Sequence, residues 1–365
     1  MYKYLNQFLG LGYLFFVKLN WAKAIKLHNK KADLIVWMWP NYPHQSFEYF
    51  GRSIIVAELT HLISVVNAGL PYRLIIGRKI GKIKDSKIIY QVSHEFLNIF
   101  KFIHYPPFLL GVAKALESQN NTVFLSSKEV AFWENKDYMQ EMFLKLQISH
   151  PKTFVLDTVK GLKSFSSLPY PYIIKEVNSQ GSKGLHKIVD SNSLVTVTKD
   201  LLQRGEVTVI AQQIVKMTKD IRVTIVGDEV VLYYWRINPD KEWRPTSTSR
   251  GSSVDFGNFP EKWRSYFIDI TKRMELSSAA YDVCWENDDV ETQPMILEVS
   301  PSFQPNPSLP EHLSTIPYKD YKTIFFTKNP FFKERINVMV MIAEKKLAYH
   351  IASGKINNNS KNGNI

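Results

Sequence analysis

A single cysteine, Cys284, stands in 365 residues. It excludes a disulfide framework within the chain and a cysteine-rich zinc site, and it fits a reducing compartment. Long apolar runs are also missing. The run at 8–17, Phe-Leu-Gly-Leu-Gly-Tyr-Leu-Phe-Phe-Val, is far shorter than the ~20 residues a spanning helix requires. Lys18 and Trp21 follow it directly, a poor setting for signal-peptide cleavage. The stretch reads as a helix packed on the body or dipped into a membrane surface. No zinc finger, aromatic RNA-binding signature or helix-turn-helix pattern is present. G-x-x-x-x-G-K-[ST], G-x-G-x-x-G after a strand, H-E-x-x-H and G-x-S-x-G are all absent. Those absences remove Walker and Rossmann nucleotide sites, zinc hydrolysis and nucleophilic serine chemistry.

What is present is a globular composition: 45% hydrophobic, 22% charged and 13% aromatic residues. The length allows two or three compact units. The net charge of +12 fits nucleic acid, an anionic membrane, or phosphate and carboxylate ligands. The lysines and arginines run from Lys3 to Lys361, so most of them read as a solvated basic surface.

Residues 33–39 form an apolar run ended by Pro40, expected to be a buried strand. Apolar positions at helical spacing follow over 53–69, with Gly69 at the stop. Strands are expected at 72–76 and 88–92. Alternation of strands and helices implies a parallel α/β domain over 1–125. Residues 128–146 and 258–276 read as helices, and strands between them carry hairpin signals. A helix with Val338, Val340, Ile342 and Leu347 precedes a polar tail at 357–364, expected to be disordered.

The chemistry gathers in the middle of the chain. Strand-like residues 170–177 contain Lys175 and lead into Asn178-Ser179-Gln180-Gly181-Ser182-Lys183-Gly184, and residues 185–189 return as a strand. A glycine-serine loop of this kind presents free N–H groups to anions. Then come Val209–Val215, the Asp220-Ile221-Arg222 strand, a turn at Gly227-Asp228, Arg236, Arg244, Ser249-Arg250-Gly251, Tyr281-Asp282-Val283 and Leu297-Glu298-Val299-Ser300. In this order the set resembles the ATP-grasp superfamily, in particular the branch of glutathione synthetase and the ribosomal-protein glutamate ligase. The resemblance covers roughly residues 130–310.

That resemblance implies an α/β N-terminal domain followed by an α+β ATP-grasp fold whose two subdomains clasp ATP. The implied divisions are 1–125, a small lid subdomain over 126–205, a large subdomain over 206–335, and a C-terminal helix with its tail over 336–365. Nucleotide binding is implied for Lys136, Lys175, Ser179, Gly181, Ser182, Gly184, Gln212, Gln213 and Val215. Gln213 stands where the family often has an acidic residue. Asp282, Glu298 and Ser300 are the implied Mg²⁺ ligands, with Ser300 replacing the usual asparagine and Asn306 as an alternative. Glu298 lies in an apolar strand, where an unpaired carboxylate is costly. Arg222, Arg236, Arg244 and Arg250 are the implied catalytic arginines, since a guanidinium grips carboxylate and phosphate bidentately.

The expected activity is that of an Mg-dependent carboxylate–amine ligase that uses ATP and forms an amide through an acyl phosphate. The alternative is an ATP-binding protein with weak or no ligase activity, acting in regulation or envelope assembly. Expected partners are small-molecule or peptide carboxylates and amines, with no nucleic acid. A cytoplasmic location is expected, with residues 8–17 offering a peripheral membrane contact.

Overall fold

The computed structural model describes residues 9–38, 53–77, 79–91, 105–157, 159–177, 184–239, 243–248, 251–308 and 330–357. Its helices are α1 (Trp21–Leu27), α2 (Ser53–Asn67), α3 (Tyr105–Glu117), α4 (Ser127–Phe132), α5 (Lys136–Lys145), α6 (Ser191–Gln203), α7 (Arg264–Arg273) and α8 (Pro330–Ala352). Two compact units result: Met1–Val130 with Ser302–Ile365, and Ala131–Pro301.

The first unit holds a parallel sheet of β1 (Leu34–Met38), β2 (Arg73–Ile76), β3 (Lys87–Ile89) and β4 (Thr122–Phe124), in the order β2-β1-β3-β4. Every residue of β1 is buried, which is why it is a continuous apolar run rather than an alternating one. The expected strand over 88–92 is shorter and ends at Ile89; Val92 lies outside the described residues. α8 returns to this unit. Ile336, Val340 and Leu347 join the core formed by Val36, Ile63 and Val66. The second unit ends at Pro301, and the chain from Ser302 onward belongs with the first. Most of the tail, residues 358–365, lies outside the described residues. Among the described residues no helix is long and apolar enough to cross a membrane.

The second unit contains two antiparallel sheets. One has β5 (Thr153–Leu156), β6 (Tyr172–Glu176), β7 (Leu185–Ile188) and β8 (Val209–Gln213) in the order β5-β8-β6-β7. The other has β9 (Lys219–Val226), β10 (Glu229–Ile237), β11 (Ser253–Asp255), β12 (Ser278–Cys284) and β13 (Met295–Ser300) in the order β11-β10-β9-β12-β13. Side chains alternate across a strand, and here the alternation sorts chemistry. Ile221, Val223 and Ile225 of β9 and Tyr281 and Val283 of β12 pack on Phe267 and Ile270 of α7. The residues between them, Asp220, Arg222 and Asp282, take the opposite face.

The single helix expected over 128–146 is two. α4 stops at Phe132 and α5 begins at Lys136, with Glu134 at φ 47° between them. No glycine or proline marks the break. Phe132 enters the same core as Met139 and Phe143, so tertiary packing overrides the helical pattern. The helix expected over 258–276 is likewise trimmed, to a 3₁₀ turn at Glu261–Trp263 and α7.

Candidate active site

The hairpin read from sequence forms. β6 pairs with β7 from Tyr172↔Ile188 to Lys175↔Leu185, and the loop between them, with Ser179, Gly181 and Ser182, lies outside the described residues. Gly184 ends that loop at φ 65°, and a Cβ there would stand 2.6 Å from the Glu176 carboxyl carbon. The position requires glycine for both reasons. The amide of Glu176 donates to the Gly184 carbonyl at 2.9 Å, closing the hairpin.

One pocket in this unit brings most of the candidate residues together. Lys136, Lys175, Gly184, Gln212, Gln213, Val215, Arg236, Asp282 and Glu298 line it. Asp220, Met217, Trp243 and Thr246 line it too. Lys175 is half-buried, and desolvation lowers its pKa to about 8, with Glu298 opposing the effect and Lys136 adding to it. Among the described residues its ammonium has no ion-pair partner within 4 Å. Gln212 turns its side chain to Thr153, donating at 2.9 Å. The Gln213 amide donates to the Lys152 carbonyl at 2.9 Å, and Ile214 and Val215 continue the lining past the strand.

The floor of the pocket is a ladder of charges in cross-strand register. Asp220 sits opposite Arg236 across β9 and β10, and Arg222 opposite Asp282 across β9 and β12. Asp282 in turn sits opposite Glu298 across β12 and β13. Arg222 donates to both Asp282 oxygens at 2.7 and 2.8 Å. Arg236 grips Asp220 through Nε at 2.9 Å and through Nη2, and reaches Asp282 at 3.0 Å. Burial works against ionisation of Asp282, but Arg222 and Arg236 outweigh it and hold the carboxyl well below the usual carboxylate range. Glu298 enters no hydrogen bond or ion pair with the described residues and remains open to a cation.

Besides the loop residues, four expected residues fall elsewhere or out of view. Arg222 and Ser300 do not line the pocket: Arg222 stands behind Asp282, and Ser300 is opposite Ala280 at the end of β13. Arg244 is also outside the lining, and its carbonyl accepts from Asn238 at 2.9 Å. Arg250 lies outside the described residues. Sequence reasoning missed Asp220 and Glu134. The D-x-R spacing signals Asp220, because residues two apart on a strand share a face. Glu134 carried no such signal. Its burial, reinforced by Glu298 and opposed by Lys136, pushes its carboxyl up to about 7.

The donor chemistry fits a hard divalent cation. Mg²⁺ uses one or two carboxylates and keeps phosphate oxygens and waters. Asp282 and Glu298, in register and beside two lysines, supply that minimum. Among the described residues no group of three or more His, Cys, Asp or Glu forms a full protein cage.

Two antiparallel sheets enclosing one pocket, with lysines on one side and paired carboxylates on the other, define a nucleotide-clasping fold. The family model described as the RimK-like ATP-grasp domain matches residues 134–308, and that segment is an ATP-grasp domain of the RimK-like kind. Alpha-aminoadipate–LysW ligase LysX of Sulfurisphaera tokodaii is 28% identical over 127 residues, 33% of this chain and 44% of the relative. The chain thus spans less than half the length of the curated relatives it matches. A RimK domain ATP-grasp protein from Sphaerobacter thermophilus is similar with a TM-score of 0.51 at 12% identity, over 86% of this chain and 98% of that one. D-alanine–D-alanine ligase from Bacillus anthracis is similar at 0.50 and 11%, over 87% and 100%. At these identities the structural likeness speaks for the fold.

Proposed function

We propose that this chain is an ATP-dependent carboxylate–amine ligase that releases ADP and phosphate. The observation that carries this reading is the pocket itself. It sets a desolvated lysine, Lys175, against two in-register carboxylates, Asp282 and Glu298, with the Arg236 fork between them. A triphosphate needs cations on one side and a metal-binding edge on the other, and this arrangement supplies both.

Lys175 and Lys136, with the loop closed by Gly184, bind the phosphates. The backbone of Gln212–Val215 meets the base. Asp282 and Glu298 would hold Mg²⁺, which would neutralise charge on the phosphates; Ser300 lies at the end of β13, outside the pocket lining. The γ-phosphoryl group leaves ADP and bonds to a substrate carboxylate oxygen, giving an acyl phosphate. The amine nitrogen then bonds to the acyl carbon, phosphate departs with the C–O electron pair, and the amine proton is lost to solvent. Arg236 faces the group in transfer, where a fixed guanidinium contributes several kcal/mol of charge stabilisation. Arg222 acts through Asp282 by fixing its orientation. Arg244 and Arg250 are assigned to the substrate carboxylate.

One relative is named an alpha-aminoadipate–LysW ligase and one structural neighbour a D-alanine–D-alanine ligase. On our reading the present substrates are likewise a carboxylate and an amine, small or peptidic, met in the cytoplasm. A panel of carboxylates and amines tests this by ADP release. Dependence on both partners is the expected result. A second reading, nucleotide binding without turnover, is favoured by one observation: Asp282 is already engaged by two arginines, so a metal must share it. Tight ATP binding with no ADP release from any pair would select it.

A further inference from the structure

The first unit carries a surface that the ligase reading leaves unused. Residues 9–18 are helical, but only part of this stretch packs inward: Leu11 and Leu14 are buried in the core, while Phe16 is 85% exposed and Val17 65%. The apolar surface continues past the run noticed in the sequence. On α1, Trp21 and Ile25 are one turn apart and share a face, and they are 46% and 73% exposed. Trp21 stacks on Phe15 with ring centroids 5.6 Å apart, and its indole N–H donates to the Phe15 carbonyl at 2.7 Å. The inward face of α1 is fixed by buried Ala24 and by Lys23, whose ammonium donates to the Asn67 carbonyl at 2.8 Å. The outward aromatic and aliphatic side chains are therefore presented by an anchored element.

Charge says what this surface meets. The chain has no aspartate or glutamate before Asp33, while Lys3, Lys18, Lys23, Lys26, Lys30 and Lys31 all precede it. Lys26, Lys30 and Lys31 are exposed. Asp33 itself is paired with Lys87 at 2.8 Å. From α8, Lys333 adds a further cation over the Tyr13 ring, 5.6 Å from its centroid. Exposed Phe, Val, Trp and Ile in a stretch whose side-chain charges are all positive match the interfacial layer of an anionic bilayer. Apolar side chains enter the acyl boundary there, tryptophan settles at headgroup depth and lysines meet lipid phosphates.

We propose that Phe16, Val17, Trp21 and Ile25, with the lysines around them, dock this protein peripherally on an anionic lipid surface. The inference stands apart from the ligase reading and survives its failure. Neither signal alone holds a protein on a membrane, so both the apolar wedge and the lysines are required.

The full chain is sedimented with vesicles of phosphatidylcholine alone and of phosphatidylcholine mixed with phosphatidylglycerol. The expected result is binding to the anionic vesicles only, weakened by raised salt. The exposed pair Phe16→Ser with Ile25→Ser should keep the far-ultraviolet circular dichroism of the parent and lose roughly tenfold or more in vesicle affinity. Phe16→Leu should retain binding. Lys26→Glu with Lys30→Glu should lose it at low salt. The proposal is overturned by equal binding to neutral vesicles, by no binding to either, or by serine variants that bind like the parent. It is overturned equally if the chain self-associates, the serine pair makes it monomeric and no vesicle binding is found. The patch would then be a contact between copies.

Discussion

The two sheets of the grasp domain differ in how their pocket-lining charges are partnered. In β11-β10-β9-β12-β13 the buried charges come in partners: Arg236 with Asp220, Arg222 with Asp282, each directly across a strand pair. In β5-β8-β6-β7 Glu176 pairs with Arg204 and His186, but half-buried Lys175 beside it has no ion-pair partner among the described residues, and desolvation lowers its pKa to about 8. A paired buried charge is a structural element whose loss leaves its mate stranded. An unpaired one is an energetic cost that persists only where something else later supplies the opposite charge. Glu298 belongs with Lys175 in this respect, although it stands on the paired sheet. Both line the pocket without an ion-pair partner among the described residues, and on the proposed reading phosphate meets one and metal the other.

The comparison breaks most visibly at Glu298. Glu298→Gln keeps the shape and removes a charge that no described side chain pairs with directly. Turnover should fall by roughly 10³-fold or more with the melting temperature unchanged or raised; a variant that retains ADP release places the metal elsewhere. Arg236→Met should do the reverse kind of damage. It strands Asp220 and half-strands Asp282, and urea unfolding should report a loss of about 3–5 kcal/mol. A stable Arg236→Met protein would mean that the ladder is not a structural element. Lys175→Ala should weaken ATP by about 1.5–3 kcal/mol in titration calorimetry, the range of a charged hydrogen bond. It should not destabilise the empty protein, because it removes a desolvated cation.

The same lysine gives a pH prediction. Its folded pKa, about 8, lies below its ordinary value, so in the ligand-free protein the unfolded chain binds the proton more tightly above that pH. The contribution of Lys175 therefore favours the fold increasingly as pH rises through about 8. Phosphate oxygens act the other way and raise its pKa. ATP binding near pH 8 should take up a proton, read from calorimetry in buffers of different ionisation enthalpy, and Lys175→Ala should abolish that uptake. The smallest effect is expected at Ser300→Asn. The residue is outside the pocket lining, so stability should change by no more than about 0.5 kcal/mol, with metal affinity equal or tighter.

Much of this was legible because strands print their faces in sequence. Asp220 and Arg222 straddle Ile221, and Asp282 lies between Tyr281 and Val283, so one face had to be core and the other polar. The hairpin of β6 and β7 was legible from its glycines. What sequence could not give was which charges pair. Arg222 reads as a catalytic arginine until register sets it opposite Asp282. The break at Glu134 and the return of α8 to the first unit were also hidden, since both depend on which core a side chain enters. The exposed wedge at Phe16 and Ile25 was only half visible, because the apolar run stopped at Val17 while the surface did not.

The central claim is phosphoryl transfer to a carboxylate, and the nucleotide product tests it most directly. On the proposed reading Lys175 and the Asp282–Glu298 edge face the terminal phosphates. With a competent carboxylate and hydroxylamine in place of the amine, the account predicts ADP and a hydroxamate in equal amounts. AMP and pyrophosphate as the main products would contradict it.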